Sequence, residues 1–151
     1  MTDSRPRVAV LGEEGYQELE LWYPVMRLRE EGVTVVIAAP QAESAYESRL
    51  GYPLLAEVAI SALDPEALDG VIVPGKGAGE QLALIGETAG LISRVLDHGG
   101  VVGVIGSGAA VLEKAGIPET SPNVVVAGTA DELPELMASL LRTVRSSETA
   151  A

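Results

Sequence analysis

The 151-residue chain contains no cysteine and no phenylalanine, and it has one histidine and one tryptophan. The missing cysteines exclude disulfides, thiolate nucleophiles, zinc–thiolate centres and sulfur-based peroxide sensing together. With a single histidine, carboxylates are the only abundant metal ligands, a set suited to weak calcium or magnesium binding, so no metal site and no cofactor are expected. Bases are scarce too: ten Lys and Arg stand against 22 Asp and Glu, a net charge of −12. Such a field repels a phosphate backbone unless one face is strongly basic. The basic pairs are only Arg5/Arg7, Arg27/Arg29 and Arg142/Arg145, which argues against nucleic acid as a partner. No apolar run approaches the roughly 18 residues needed to cross a bilayer. "MTDSRPRVAV" lacks the apolar core of a signal peptide. A cytoplasmic protein with no membrane contact is expected.

What is present is patterned. The length suits one domain that buries about two thirds of its unfolded surface, expected over residues 5–145, with a frayed tail at 146–151. "RVAVLG" (7–12) and "VTVVIAAP" (33–40) are short β-branched runs without alternation, as in strands covered on both faces. Between them "ELELWYPVMRLREEG" (18–32) places Leu21, Val25 and Leu28 at helical spacing and stops at Gly32. Residues 47–63 are irregular, with room for a small hairpin or an edge excursion around Gly51 and Pro53. "DPEALDG" (64–70) reads as a short helix with Asp64 as N-cap and Pro65 in its first turn. Strands "GVIVPG" (70–75), "VVGVIG" (101–106) and "NVVVAG" (123–128) alternate with helices at 79–100, interrupted near Gly86, at 108–116 and at 130–145. This order predicts a three-layer, doubly wound α/β sandwich with a mostly parallel sheet, flavodoxin-like in class. In such sheets ligands gather beyond the carboxyl ends of the strands. That rule selects Gly12–Gln17, the loop from Pro40 onward, Pro74–Glu80 and Gly106–Gly108.

The stretches "GYQELELWYPVMRLREEGVTVVIAAP", "LDGVIVPGKGAGEQLAL" and "GGVVGVIGSGAAVLEKAGI" resemble the ThiJ/PfpI family, intracellular-protease and protein-deglycase relatives with the class I glutamine amidotransferase-like fold. The helix-to-strand junction from Pro24 to Val35 and the turn from Val73 to Lys76 carry most of the likeness. The resemblance implies a cysteine and a histidine at the sharp corner after the fourth long strand; here Gly106 and Ser107 stand there. It also implies an acid in the first loop that shares a proton with the cysteine, and this position falls on Gln17. The acid of the third loop, which can reach a neighbouring subunit's site in the family, is retained as Glu80. The departures are coherent. A carboxyl group that tunes a thiol has no task once the thiol is gone, and glycine at the corner accepts a backbone conformation strained for other residues.

Ser107 does not replace the cysteine on sequence grounds. A G-x-S-x-G elbow needs glycine at positions 105 and 109, where Ile105 and Ala109 stand. His98, in "LDHGG", closes a helix at the opposite edge of the sheet. An anion trap remains: the amides of Gly106, Ser107 and Gly108 open a helix, and the glycine amides of Gly75 and Gly77 with the Lys76 ammonium face them across the "PGKGAG" turn. The same glycines would equally serve tight turns. Glu13, Glu14 and Glu80, with Tyr16 close by, offer general acid–base catalysis without a thiol, or are solvated loop acids.

Two functions thus stand open. The chain is a small-molecule or anion-binding pseudoenzyme that keeps the family pocket, or it is a cysteine-independent lyase, isomerase or hydrolase of a small carbonyl or epoxide substrate. A purely structural oligomer subunit is a third class. The resemblance implies a homodimer, with Trp22, Tyr23 and Leu84 as candidates for its apolar patch. Light scattering is expected to report twice the 15.6 kDa of one chain; a monomer across a wide concentration range would refute pairing.

Overall fold

The computed structural model describes residues 5–150. Strands β1 (Arg7–Leu11) and β2 (Thr34–Ala39) run parallel on either side of helix α1 (Glu18–Glu30) in the chain. The helix begins where Gln17, in extended backbone, accepts the Glu20 N–H through its side chain at 2.9 Å. Glu18 and Glu20 lie in the first turn and Arg27 and Arg29 in the last, each complementing the helix dipole. Gly32, at φ +80°, terminates it as the sequence predicts. The buried face is Leu21, Val25 and Leu28 as expected, joined by Pro24 and, against expectation, by Glu20.

The irregular region resolves into a hairpin and an edge strand. β3 (Ala45–Glu47) pairs antiparallel with β4 (Pro53–Leu55), and β5 (Val58–Ala59) adds a two-residue strand beside β2 that the sequence did not signal. Asp64 accepts the Glu66 N–H at 3.1 Å and caps the short helix that the sequence predicts, a single 3₁₀ turn over Pro65–Ala67. After β6 (Gly70–Val73) the helical stretch is interrupted just before Gly86, as the sequence predicts, into α2 (Lys76–Ala83), which starts three residues early, and α3 (Gly86–Asp97). β7 (Val101–Ile105) passes through a 3₁₀ turn at Gly106–Gly108 into α4 (Ala109–Ala115). β8 (Val124–Ala127) leads through a 3₁₀ turn at Ala130–Glu132 into α5 (Leu133–Ala150). That last helix continues through the stretch expected to fray from residue 146; Ala151 lies outside the described residues.

The six-stranded sheet has the order β5-β2-β1-β6-β7-β8, and every pairing in it is parallel. Its five longer strands follow the flavodoxin-like order, so the chain reverses direction across the sheet between β1 and β6. Alternation along each strand feeds two cores. On one face Val8 and Val10 pack with Leu21, Val25 and Leu28 of α1 and Leu136 and Leu140 of α5. On the other, Ala9 and Leu11 pack with Leu82, Ile92 and Leu112 of α2, α3 and α4. His98 caps α3 at the strand-start edge, where its Nε2 bonds the Pro65 carbonyl at 2.8 Å. Among the described residues no helix is long and apolar enough to cross a membrane.

Two glycines of adjacent helices should respond oppositely to the same substitution. A Cβ on Gly79 would sit 2.5 Å from the Pro74 carbonyl oxygen and 2.8 Å from the Gly108 nitrogen, whereas one on exposed Gly90 meets nothing within 4 Å. Gly79→Ala is expected to destabilise by about 1–3 kcal/mol through overpacking, and Gly90→Ala to stabilise by roughly 0.5–1 kcal/mol through helix propensity. Urea unfolding of the two variants reads both signs.

Candidate functional site

The corner after β7 is built by close backbone approach. Gly106 lies in the left-handed region, at φ +50°, and a Cβ there would find its nearest neighbour 3.7 Å away, so the position is conformationally demanding but roomy. Gly108 is the reverse: a Cβ would fall 2.6 Å from the Pro74 carbonyl oxygen. Gly75 is hemmed in as well, since a Cβ would lie 2.6 Å from the Ile105 carbonyl oxygen and 2.9 Å from Glu20 Oε1. Its N–H donates to that oxygen at 3.0 Å. Lys76 follows at φ +55°, a left-handed conformation that disfavours a side chain, and the Ser107 hydroxyl donates to its carbonyl at 2.8 Å.

In front of this corner lies a cavity of about 520 Å³. The start of α1 supplies Gln17 and Glu20; α2 supplies Lys76 and Glu80; the corner supplies Gly106 and Ser107. The loop from β8 into α5 adds Gly128, Thr129 and Ala130, and Arg49 reaches in from the hairpin turn between β3 and β4. Four charged groups therefore line it, two of each sign. Glu20 is only 4% exposed, and one of its oxygens is taken by Gly75. Neither Lys76 nor Arg49 forms an ion pair with any described residue. Arg49 is set in place by Glu18, whose carboxylate accepts the Ser48 hydroxyl and, at 3.3 Å, the Leu50 N–H. The Ser48 hydrogen bond, with help from the Leu50 N–H and Arg49, holds the Glu18 carboxyl below its ordinary range.

Of the residues singled out in the sequence, Gln17, Lys76, Glu80, Gly106 and Ser107 line the cavity, while Gly75, Gly77 and Gly108 shape the turns behind it. A buried carboxylate, Glu20, also faces the cavity, three residues beyond Gln17, whose own side-chain oxygen is spent on capping α1. Glu13 and Glu14, the other candidate acids, do not line this cavity. Glu13 Oε1 accepts the Glu14 N–H at 2.7 Å, and Glu14 Oε1 accepts the Glu47 N–H of β3 at 3.0 Å, so both brace loops. Tyr16 is fully buried and donates to the Tyr52 carbonyl at 2.9 Å; burial raises its pKa, and it stands in the core rather than beside a substrate. Trp22 and Tyr23 pack half-buried against the core, and Leu84 is exposed. Arg49 and the 128–130 loop escaped sequence reasoning. The loop could have been found, because Thr129 and Glu132 form a T-x-x-E capping box right after a strand. No described cluster of three or more His, Cys, Asp or Glu could hold a metal ion.

A doubly wound domain whose left-handed corner sits over a buried carboxylate, but carries no side chain, is of the nucleophile-corner class without its nucleophile. Residues 6–142 match the DJ-1/PfpI family, and the chain belongs to it. A deglycase of Thermococcus kodakarensis is 30% identical over 111 residues, which span 74% of this chain and 66% of that protein. The match thus covers just under two thirds of that relative's length. Drosophila melanogaster DJ-1beta superposes with a TM-score of 0.83 at 16% identity, over 97% of each chain. A two-domain protein of Anabaena variabilis, with DJ-1/ThiJ/PfpI-like and ferritin-like domains, superposes with a TM-score of 0.86 at 16% identity, over 91% of this chain and 48% of that one.

The corner and the Arg49 tether can each be tested. Gly106→Ala is expected to lose about 1–2 kcal/mol, the penalty of a Cβ in the left-handed region, with no added packing penalty because the space is open. Equilibrium unfolding measures it. Because the folded-state pKa of Glu18 is depressed, its contribution is present above the unfolded value and is lost as pH falls through the folded one. Ser48→Ala removes the largest cause, so in an NMR pH titration the Glu18 carboxyl should protonate at higher pH than in wild type. An unchanged titration would break the tether argument.

Proposed function

We propose that this chain works without thiol chemistry and binds a small molecule bearing an anionic group in the cavity at the Gly106 corner. The supporting observation is the pair of cations, Lys76 and Arg49, that line the cavity without an ion-pair partner among the described residues of a chain whose net charge is −12. Unpaired cations around a concave site with backbone amides nearby suit a carboxylate or a phosphate. The deglycase names of the sequence relatives are not carried over, since the cysteine that the family resemblance implies for that chemistry is glycine here. A second reading, acid–base catalysis on a small carbonyl or epoxide substrate, is favoured by one observation: Glu20 and Glu80 both line the cavity, so two carboxylates in unlike environments face the same space.

The test is calorimetric titration of wild type, Lys76→Ala and Ser107→Ala with a panel of carboxylates and phosphates. Binding is expected in wild type. Lys76→Ala should lose about 1–3 kcal/mol, as for a charged hydrogen bond, and Ser107→Ala should lose less because its backbone amide remains. Affinity should fall modestly with salt. If no anion binds, or if Lys76→Ala binds as wild type does, the reading fails. Purified protein should show no deglycase activity; a robust signal would overturn the reading of the chain as a binding protein.

A further inference from the structure

The cavity that the proposed function rests on is not a simple anion trap, because its charges are balanced. Lys76 and Arg49 are matched by Glu20 and Glu80. The acids are not equivalent. Glu80 is exposed on α2, where water solvates it, whereas Glu20 is buried and receives one hydrogen bond, from Gly75 N–H to Oε1 at 3.0 Å. Its Oε2 has no hydrogen-bond partner among the described residues. Oε2 is not among the fully buried oxygens that lack a partner, so it opens onto the cavity, where a donor can reach it. Beside it Gly106 has no side chain, and a Cβ there would have no neighbour closer than 3.7 Å, so the space next to Glu20 is open to a ligand.

A purely anionic molecule can pair with Lys76 and Arg49 but leaves the Glu20 carboxylate without a donor. A purely cationic one would meet Lys76 and Arg49 on the way in. We propose that the site takes a zwitterion of the amino-acid class, with its ammonium group donating to Glu20 Oε2 in the space vacated at Gly106 and its carboxylate directed to Lys76 and Arg49. This refines the proposed function and depends on it for the role of the two cations. The ammonium supplies the donor that Oε2 lacks. The ligand carboxylate supplies the close ion pair that neither Lys76 nor Arg49 forms with a described residue. A single small molecule thereby engages three groups that face the same cavity.

NMR titration with L-alanine, propionate and ethylamine separates the cases, since propionate is alanine without its ammonium group and ethylamine is alanine without its carboxylate. Shifts at the Gly75, Gly106 and Thr129 amides localise binding. L-alanine is expected to bind at least about tenfold more tightly than either analogue, the ratio that one charge-assisted hydrogen bond confers. Glu20→Gln keeps an acceptor for Gly75 and should abolish the preference for alanine over propionate. If propionate matches alanine in wild type while Lys76→Ala weakens both, the zwitterion inference is overturned and the anion-binding reading stands. If none of the three binds at those amides, both fall. The wild-type series decides the inference even if Glu20→Gln does not fold.

Discussion

The bond from the Gly75 N–H to the buried Glu20 carboxylate is the constraint on which the site depends. Glu20 belongs to the helix that follows β1, and Gly75 to the turn that follows β6, so the bond spans the point where the sheet reverses its winding. It is satisfied only because Gly75 has no side chain, since the Ile105 carbonyl at the end of β7 already occupies the place of a Cβ. Three strand ends thus converge on one residue. The same logic repeats one turn further, where Gly79 and Gly108 press against each other and against the Pro74 carbonyl. Backbone packed this closely fixes the cavity walls without relying on side-chain rotamers, and the walls persist although the corner itself is bare.

The charge of the whole chain and the charge of the site answer different questions. A net charge of −12 sets solubility and long-range steering. It is screened over about 8–10 Å at physiological salt, so what a ligand experiences inside the cavity is two acids and two bases at hydrogen-bonding range. A bulk acidic composition therefore does not argue against binding a carboxylate. It argues that binding must come from groups placed by the fold, and Arg49 shows how this is done: the hairpin carrying it is pinned through Ser48 and Leu50 to Glu18 in the first turn of α1.

The architecture was legible because it rests on periodicity and glycine stops: β1, α1 and β2 fall within a residue or two of the runs that announced them, and the left-handed corner at Gly106 follows from reading glycine as a strain-relieving choice. The edge strand β5 was not legible, since two residues carry no period. Glu20 was not singled out because Gln17 and Glu20 both open α1, and nothing in the local sequence says which is spent on capping and which turns inward. Glu13 and Glu14 do not line the cavity. Their loop lies at the right end of the sheet, but their oxygens bond backbone N–H groups, Glu47 in the hairpin among them, a partner 33 residues away along the chain. Arg49 was invisible to a rule based on strand ends, because it arrives on a hairpin outside the main sheet.

Ser107 takes its meaning from Lys76 rather than from catalysis. A lysine held at φ +55° bears a penalty of about 1–2 kcal/mol that glycine would avoid, so something must hold its backbone there. The Ser107 hydroxyl does so by donating its proton to the Lys76 carbonyl, a contribution of roughly 0.5–1.5 kcal/mol for an ordinary hydrogen bond. To act as a nucleophile the hydroxyl would have to abandon that bond and find a base, and the chain's one histidine is engaged with the Pro65 carbonyl at the far edge of the sheet. The hydroxyl at the corner is therefore a fastener for the neighbouring turn. It fixes the backbone from which the Lys76 ammonium enters the cavity, which is how a corner without a nucleophile still shapes what the site can hold.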